Sequence, residues 1–392
     1  MSDGVVAASA KVTMVVRGDK PRVPRVLKFG SDFSGLDSAW LALKRLKIPA
    51  KLVFCSDNNA ACKQLLLKLH EPERFYNDVS GRSPSELEYC DLYVTTPPCQ
   101  AWSSAGQRRG LQDSEGRGIV LQESVRYVQA MKPRVVCLEN VKGMMSKKFL
   151  PVFKGVKKAM RSLGYNVYST VLNSADFKVA QDRKRVFIVA IRTDSQRAGF
   201  RWPKPEGRAK LADVLDPVKA TDKPCRLPRA PRASSLARKA CQEVFRAGVD
   251  PREVPVAVDV DASPRFASYG VNICKTMTKS RAATGGFWVS TRGRKMTLQE
   301  IMRVSGLQDD ELGWKSAGVT EKQVGGMLGN SVPVPLMAAV LRQAMIAGGL
   351  TSTPSVIKRM IKPKATAQAK VTAKPRSGTK AKTLPRSLAG SS

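Results

Sequence analysis

From residue 26 onward, short apolar runs alternate with stretches in which apolar residues recur every three or four positions. The runs at 26–33, 52–55, 92–94, 135–138, 167–172 and 186–191 read as strands. The stretches at 38–47, 60–69, 117–131, 149–163, 297–307 and 334–347 read as helices. Strands that alternate with helices of this length predict an α/β fold with a doubly wound, Rossmann-like sheet. The strands are almost wholly apolar, as strands covered on both faces are.

The alternation stops after Arg192. Residues 200–270 are rich in Pro, Arg and Ala and read as a small irregular region. The pattern therefore predicts a flexible segment at 1–25, a main domain at 26–200, an inserted recognition region at 201–274 and a return to the main domain at 275–350. Residues 351–392 read as a disordered basic tail, with ten Lys/Arg and no Asp/Glu from 352 onward.

Charge narrows the partners. The chain has 67 Lys+Arg against 32 Asp+Glu, a formal net charge of +35. Without the tail's ten cations the count is still +25, so the body itself is basic. Nucleic acid is the partner such a charge favours first. No apolar stretch reaches the ~18 residues of a membrane span. The eight cysteines form no C-x-x-C pair and there is one histidine, His70, so no metal site is expected. His70 follows an apolar helical run and reads as a helix-end residue. The tail's composition suggests a nuclear protein, and a monomer is the simplest assembly.

Two groups of residues carry candidate chemistry. The first strand ends in Phe33-Ser34-Gly35-Leu36-Asp37-Ser38, a glycine-containing turn into a helix. In doubly wound sheets that turn lies where ligands bind. Asp57, at the end of the second strand, has the spacing of a ribose-binding acid. Asp78, near the third strand, could take an adenine amino group. The second group opens with Thr96-Pro97-Pro98-Cys99-Gln100 at the end of a strand. Two prolines stiffen the turn and hold one thiol at the sheet rim, which makes Cys99 a candidate nucleophile. Glu139-Asn140-Val141 ends the next buried strand. In Gln181-x-Arg183-x-Arg185 the two arginines alternate onto one face. Cys137 is a competing thiol, but its apolar strand marks it as core. Residues 101–117, rich in Ser, Gly, Gln and Arg, are long enough for a lid.

These motifs, in this order and closed by Gly329-Asn330-Ser331-Val332, resemble the cytosine-C5 DNA methyltransferase family over about residues 26–347. The resemblance implies S-adenosyl-L-methionine (AdoMet) as cofactor and DNA as substrate. The reaction it implies is methyl transfer to cytosine C5 through a covalent Cys99–C6 adduct after base flipping. It implies catalytic roles for Cys99, Glu139, Arg183 and Arg185. It implies cofactor contacts for Phe33, Ser34, Gly35, Asp37, Asp57, Asp78, Pro98, Asn330 and Ser331. The family's usual F-x-G-x-G-G is altered here, with Asp37 and Ser38 at the second and third glycines. Asp37 could meet the amino group of the cofactor's methionine part. Two alternatives remain open at this stage. One is an RNA (tRNA) cytosine-C5 methyltransferase. The other is a catalytically silent nucleic-acid-binding protein on the same fold.

Overall fold

The computed structural model describes residues 26–80, 82–98 and 120–351. Cys99, the expected lid at 101–117, the N-terminal segment and the basic tail lie outside the described residues.

In chain order the first half holds β1 (Leu27–Asp32), α1 (Ser38–Arg45), β2 (Ala50–Ser56), α2 (Ala60–Leu69) and β3 (Arg74–Tyr76). Then come β4 (Leu92–Thr95), α3 (Val120–Met131), β5 (Val135–Val141), α4 (Leu150–Ser162), β6 (Tyr165–Asn173), β7 (Gln181–Asp182) and β8 (Lys184–Arg192). The second half holds α5 (Pro231–Arg246), β9 (Val256–Val258), β10 (Tyr269–Val271), β11 (Cys274–Lys275) and α6 (Lys279–Ala282). It ends with β12 (Trp288–Val289), β13 (Arg294–Lys295), α7 (Leu298–Val304), α8 (Glu321–Asn330) and α9 (Val334–Ala347).

The main sheet has seven strands in the order β3-β2-β1-β4-β5-β8-β6. From β3 to β5 all pairs are parallel, while β8 runs antiparallel to both β5 and β6. Period-two alternation divides the strands between two cores. Leu92, Val94, Val135 and Cys137 pack with α1 and α9, while Tyr93 and Val136 pack with α3 and α4. Both faces are covered, which is why these strands are almost wholly apolar. The chain lays β2 and β3 on one side of β1, then returns to place β4 and β5 on the other. The order thus reverses between β1 and β4, and the crevice above their carboxyl ends is where such sheets bind ligands.

The region expected to be irregular contains a regular element. α5 is a 16-residue helix inside 201–274. Its buried stripe is Leu236, Ala237, Ala240, Cys241 and Val244, packed on β9 and Trp288. The helix is amphipathic, but the Arg, Lys and Ser residues around the stripe's members keep its mean hydropathy low. Pro231 starts the helix at its first turn, where a missing N–H costs nothing. A second sheet, β10-β9-β12-β13, takes strands from both sides of residue 274. The inserted region therefore shares its sheet with residues 288–295, while residues 274–282 in between pack with the main domain.

Candidate active site

The turn after β1 is built from three left-handed residues. Phe33, Gly35 and Asp37 have φ of 57°, 59° and 53°. Glycine adopts this conformation at no cost, and Asp is among the few residues that tolerate it. Asp37 thus keeps the backbone path that a glycine would give and adds a side chain. That carboxylate is the N-cap of α1, accepting from Trp40 N (3.0 Å) and from Ser31 Oγ (2.7 Å). Desolvation by burial pushes its pKa up from 3.8 to about 6, against the Ser31 hydrogen bond, the helix amides and Lys44. A buried carboxylate held at this cost is a natural partner for a cation.

Asp57, just after β2, crosses to the same turn. Gly35 N donates to its Oδ2 (2.8 Å) and Asn59 N to its Oδ1 (2.9 Å). Burial raises its pKa, with those two amides pulling the other way. A Cβ on Gly35 would meet nothing within 4 Å, so the turn's backbone faces open space. Ser34 Oγ lies 2.7 Å from Ser31 Oγ. His70, the C-cap of α2, places Nε2 3.2 Å from Leu36 O, which supports the turn from behind.

The opposite wall comes from α8. Gly329 packs so closely on the residues before α6 that a Cβ would stand 2.4 Å from Thr278 O. Arg183 joins these pieces: its guanidinium donates to Met277 O (2.9 Å) and Asn330 O (3.2 Å). Asn330 and Ser331 are thereby fixed at the rim. This anchoring role is not deducible from the Gln-x-Arg-x-Arg spacing, because Met277 and Asn330 are distant in sequence.

The second candidate group lies at the ends of β4 and β5, where Thr96, Pro97, Pro98, Glu139 and Asn140 are described. Thr96 Oγ1 donates to Phe33 O (2.9 Å), and Asn140 Nδ2 donates to Pro97 O (3.1 Å). Asn140 therefore holds the stiff turn that leads into Cys99, a role the sequence motif left unassigned. Glu139 is buried and pairs with Arg185 Nε at 3.1 Å. Arg185 stands opposite Val141, two residues from Glu139 on the same face, so the pair is a diagonal cross-strand contact. Burial raises the Glu139 pKa, and Arg185 then Arg183 oppose that rise. Cys137 is fully buried with its thiol pushed up by desolvation, which removes it as a rival nucleophile.

One cavity of about 660 Å³ unites the two groups. Phe33, Ser34, Gly35, Asp37, Asp57, Pro98, Asn330 and Ser331 line it together with Glu139, Arg183 and Arg185. Lys279 and Lys322, which the motifs did not single out, line it too. Asp78 is exposed, bonds Ser80 N, and is not among the lining residues. No cluster of metal-ligating side chains occurs among the described residues. No single described helix is long and apolar enough to cross a membrane.

The model of the C-5 cytosine-specific DNA methylase family matches residues 27–345. The Type II methyltransferase M.FnuDI of Fusobacterium nucleatum is 31% identical over 192 residues, covering 49% of this chain and 55% of that relative. The chain thus spans little more than half the length of that relative. The Type II methyltransferase M.NgoPII of Neisseria gonorrhoeae is 28% identical over 361 residues, covering 84% of this chain and 99% of that relative. Among solved structures, the methyltransferase EhMeth of Entamoeba histolytica superposes with a TM-score of 0.60 at 17% identity, covering 82% of this chain and 98% of that one. The family uses AdoMet as methyl donor, and the open glycine turn, the paired carboxylates and the cavity's size fit such a zwitterionic nucleoside. The family match, spanning most of the folded body and every described motif, makes this chain a member of the C-5 cytosine-specific DNA methylase family.

Proposed function

We propose that the protein is a DNA (cytosine-5-)-methyltransferase acting through a covalent adduct at Cys99. The observation that carries the reading is that both candidate groups share one cavity. It places the β1 turn and Asp57 beside Glu139, Arg183 and Arg185, with the Pro97-Pro98 turn leading in. When bound there, AdoMet supplies an electrophilic methyl group on sulfur. Asp37 would take its ammonium group, and Asp57 its ribose hydroxyls.

The protein's own groups do the rest. The Cys99 thiolate adds to C6 of a flipped cytosine, which makes C5 an enamine carbon able to attack a methyl group. In its protonated form Glu139 would donate a hydrogen bond to N3 and stabilise the ring as negative charge develops there; burial favours that form, and Arg185 opposes it. Arg185 orients Glu139, and as a cavity-lining cation it would take the base O2. After methylation a solvent water takes the C5 proton, the electrons of that C–H bond form the C5–C6 double bond, and the C6–S pair leaves with sulfur to restore the thiolate. The basic body supplies attraction for the phosphate backbone.

The test is transfer of labelled methyl from AdoMet to duplex DNA and, side by side, to tRNA. Label on DNA cytosine that disappears in Cys99→Ala supports the reading. Label on tRNA alone overturns the substrate, and undiminished transfer by Cys99→Ala overturns the mechanism.

A further inference from the structure

The segment Gln181–Arg185 has a second face. Arg183 and Arg185 line the reactive cavity, and alternation sends Lys184 to the other side of the sheet. There it borders a separate cavity of about 450 Å³.

Strand register shows what converges on it. Lys184 stands opposite Asn173 on β6, and Arg185 stands opposite Val141 on β5. The residue after Val141 is Lys142, so Lys142 and Lys184 approach the cavity from neighbouring strand ends. Arg208 joins them, with Asp176, Phe177 and Pro203 forming much of the remaining wall. The local carboxylates are already engaged. Asp176 pairs with Arg208 at 3.3 Å. Asp182 accepts from Asn173 Nδ2 at 2.8 Å and lies 3.6 Å from Lys275. Among the described residues, the Lys142 and Lys184 ammonium groups have no hydrogen bond or ion pair. Two exposed, uncompensated cations at a concave site match the charge of a backbone phosphate, the exposed Pro205 at its edge offers an apolar contact to the adjoining sugar, and the excess of Lys and Arg over the whole chain already favours nucleic acid.

We propose that this second cavity binds a backbone phosphate of the substrate strand, close to the nucleotide whose base enters the reactive cavity. The inference rests on the reading of the protein as acting on DNA. The end of β8 then acts on both sides. Its arginines face the base, and its lysine, with Lys142, holds the backbone. Anchoring that phosphate offsets part of the cost of unstacking the target nucleotide.

The test compares wild type with the double variant Lys142→Gln/Lys184→Gln and with Lys68→Gln. Lys68 is exposed on α2, beside the far edge of the sheet. Binding of a labelled duplex is followed by anisotropy across a salt series, with AdoMet affinity and thermal midpoint measured on the same samples. Each lost phosphate contact lowers the slope of log K against log salt by about 0.9. The double variant is expected to lose about one such unit, to bind about tenfold more weakly at fixed salt, and to keep wild-type AdoMet affinity. Lys68→Gln is expected to keep the wild-type slope. A wild-type slope in the double variant, or an equal loss in Lys68→Gln, overturns the inference while wild-type methylation of the duplex still stands. Wild-type protein that neither binds nor methylates the duplex overturns the functional reading, and this inference falls with it.

Discussion

Asp37 costs the folded protein stability, and removing its charge measures how much. Asparagine keeps the shape, tolerates the left-handed backbone at φ 53°, and still offers an acceptor to Trp40 N. Burial moves the carboxyl from 3.8 to about 6. Two units at about 1.4 kcal/mol each give about 3 kcal/mol. The sign follows from linkage. The folded pKa is raised, so folding favours the protonated form. That contribution is complete below about pH 4 and is lost as pH rises through about 6. Asp37→Asn does not titrate there. It should therefore gain on wild type across this window, ending about 3 kcal/mol more stable at pH 7. Urea denaturation of both proteins between pH 4 and 7.5 reads the difference. A difference that stays constant over this range refutes the reasoning. The same substitution removes the charge proposed to face the cofactor's ammonium group. Charged hydrogen bonds contribute ~1.5–3 kcal/mol, so AdoMet affinity should fall about tenfold or more by calorimetric titration. A variant that is more stable yet binds cofactor worse is the joint outcome expected.

Three further substitutions test other parts of the site. Glu139→Gln should lower methyl transfer by ~10²–10⁴ in single-turnover assays while AdoMet affinity stays near wild type. Asn140→Ala removes the donor to Pro97 O; stability should fall by about 1 kcal/mol in urea, and kcat should fall more than cofactor affinity. Gly329→Ala drives a Cβ towards Thr278 O, and this overpacking should cost about 1–3 kcal/mol, seen as a lower thermal midpoint.

Much of the sheet was legible because its strands are buried on both faces and its helices are amphipathic. Both signals survive in a single sequence. The loop motifs were legible for another reason, since the two prolines before Cys99 fix the backbone, Gly35 permits a left-handed turn, and alternation puts the two arginines on one face of an extended segment. What escaped depends on contacts far apart in sequence. Arg183 spans to Met277 and Asn330, and Asn140 reaches Pro97, through folding alone. α5 escaped because it is short of apolar residues overall and lies among prolines, although its buried residues recur at helical spacing. Asp78 had the right spacing for an adenine contact, yet it lies exposed beyond the short strand β3 and outside the cavity lining. Asp37 departs from the family's glycine run. The structure shows why the position accepts it: the required conformation is left-handed, and the added carboxylate caps α1.

The central claim is that one thiol, Cys99, bonds covalently to cytosine while AdoMet supplies the methyl group. A duplex containing 5-fluorocytosine tests it most directly, because fluorine at C5 prevents the final loss of a proton and traps the adduct. The account predicts a protein–DNA band on a denaturing gel that requires both AdoMet and Cys99. A band that persists in Cys99→Ala, or methyl transfer to ordinary cytosine with no band on the fluorinated duplex, would contradict it.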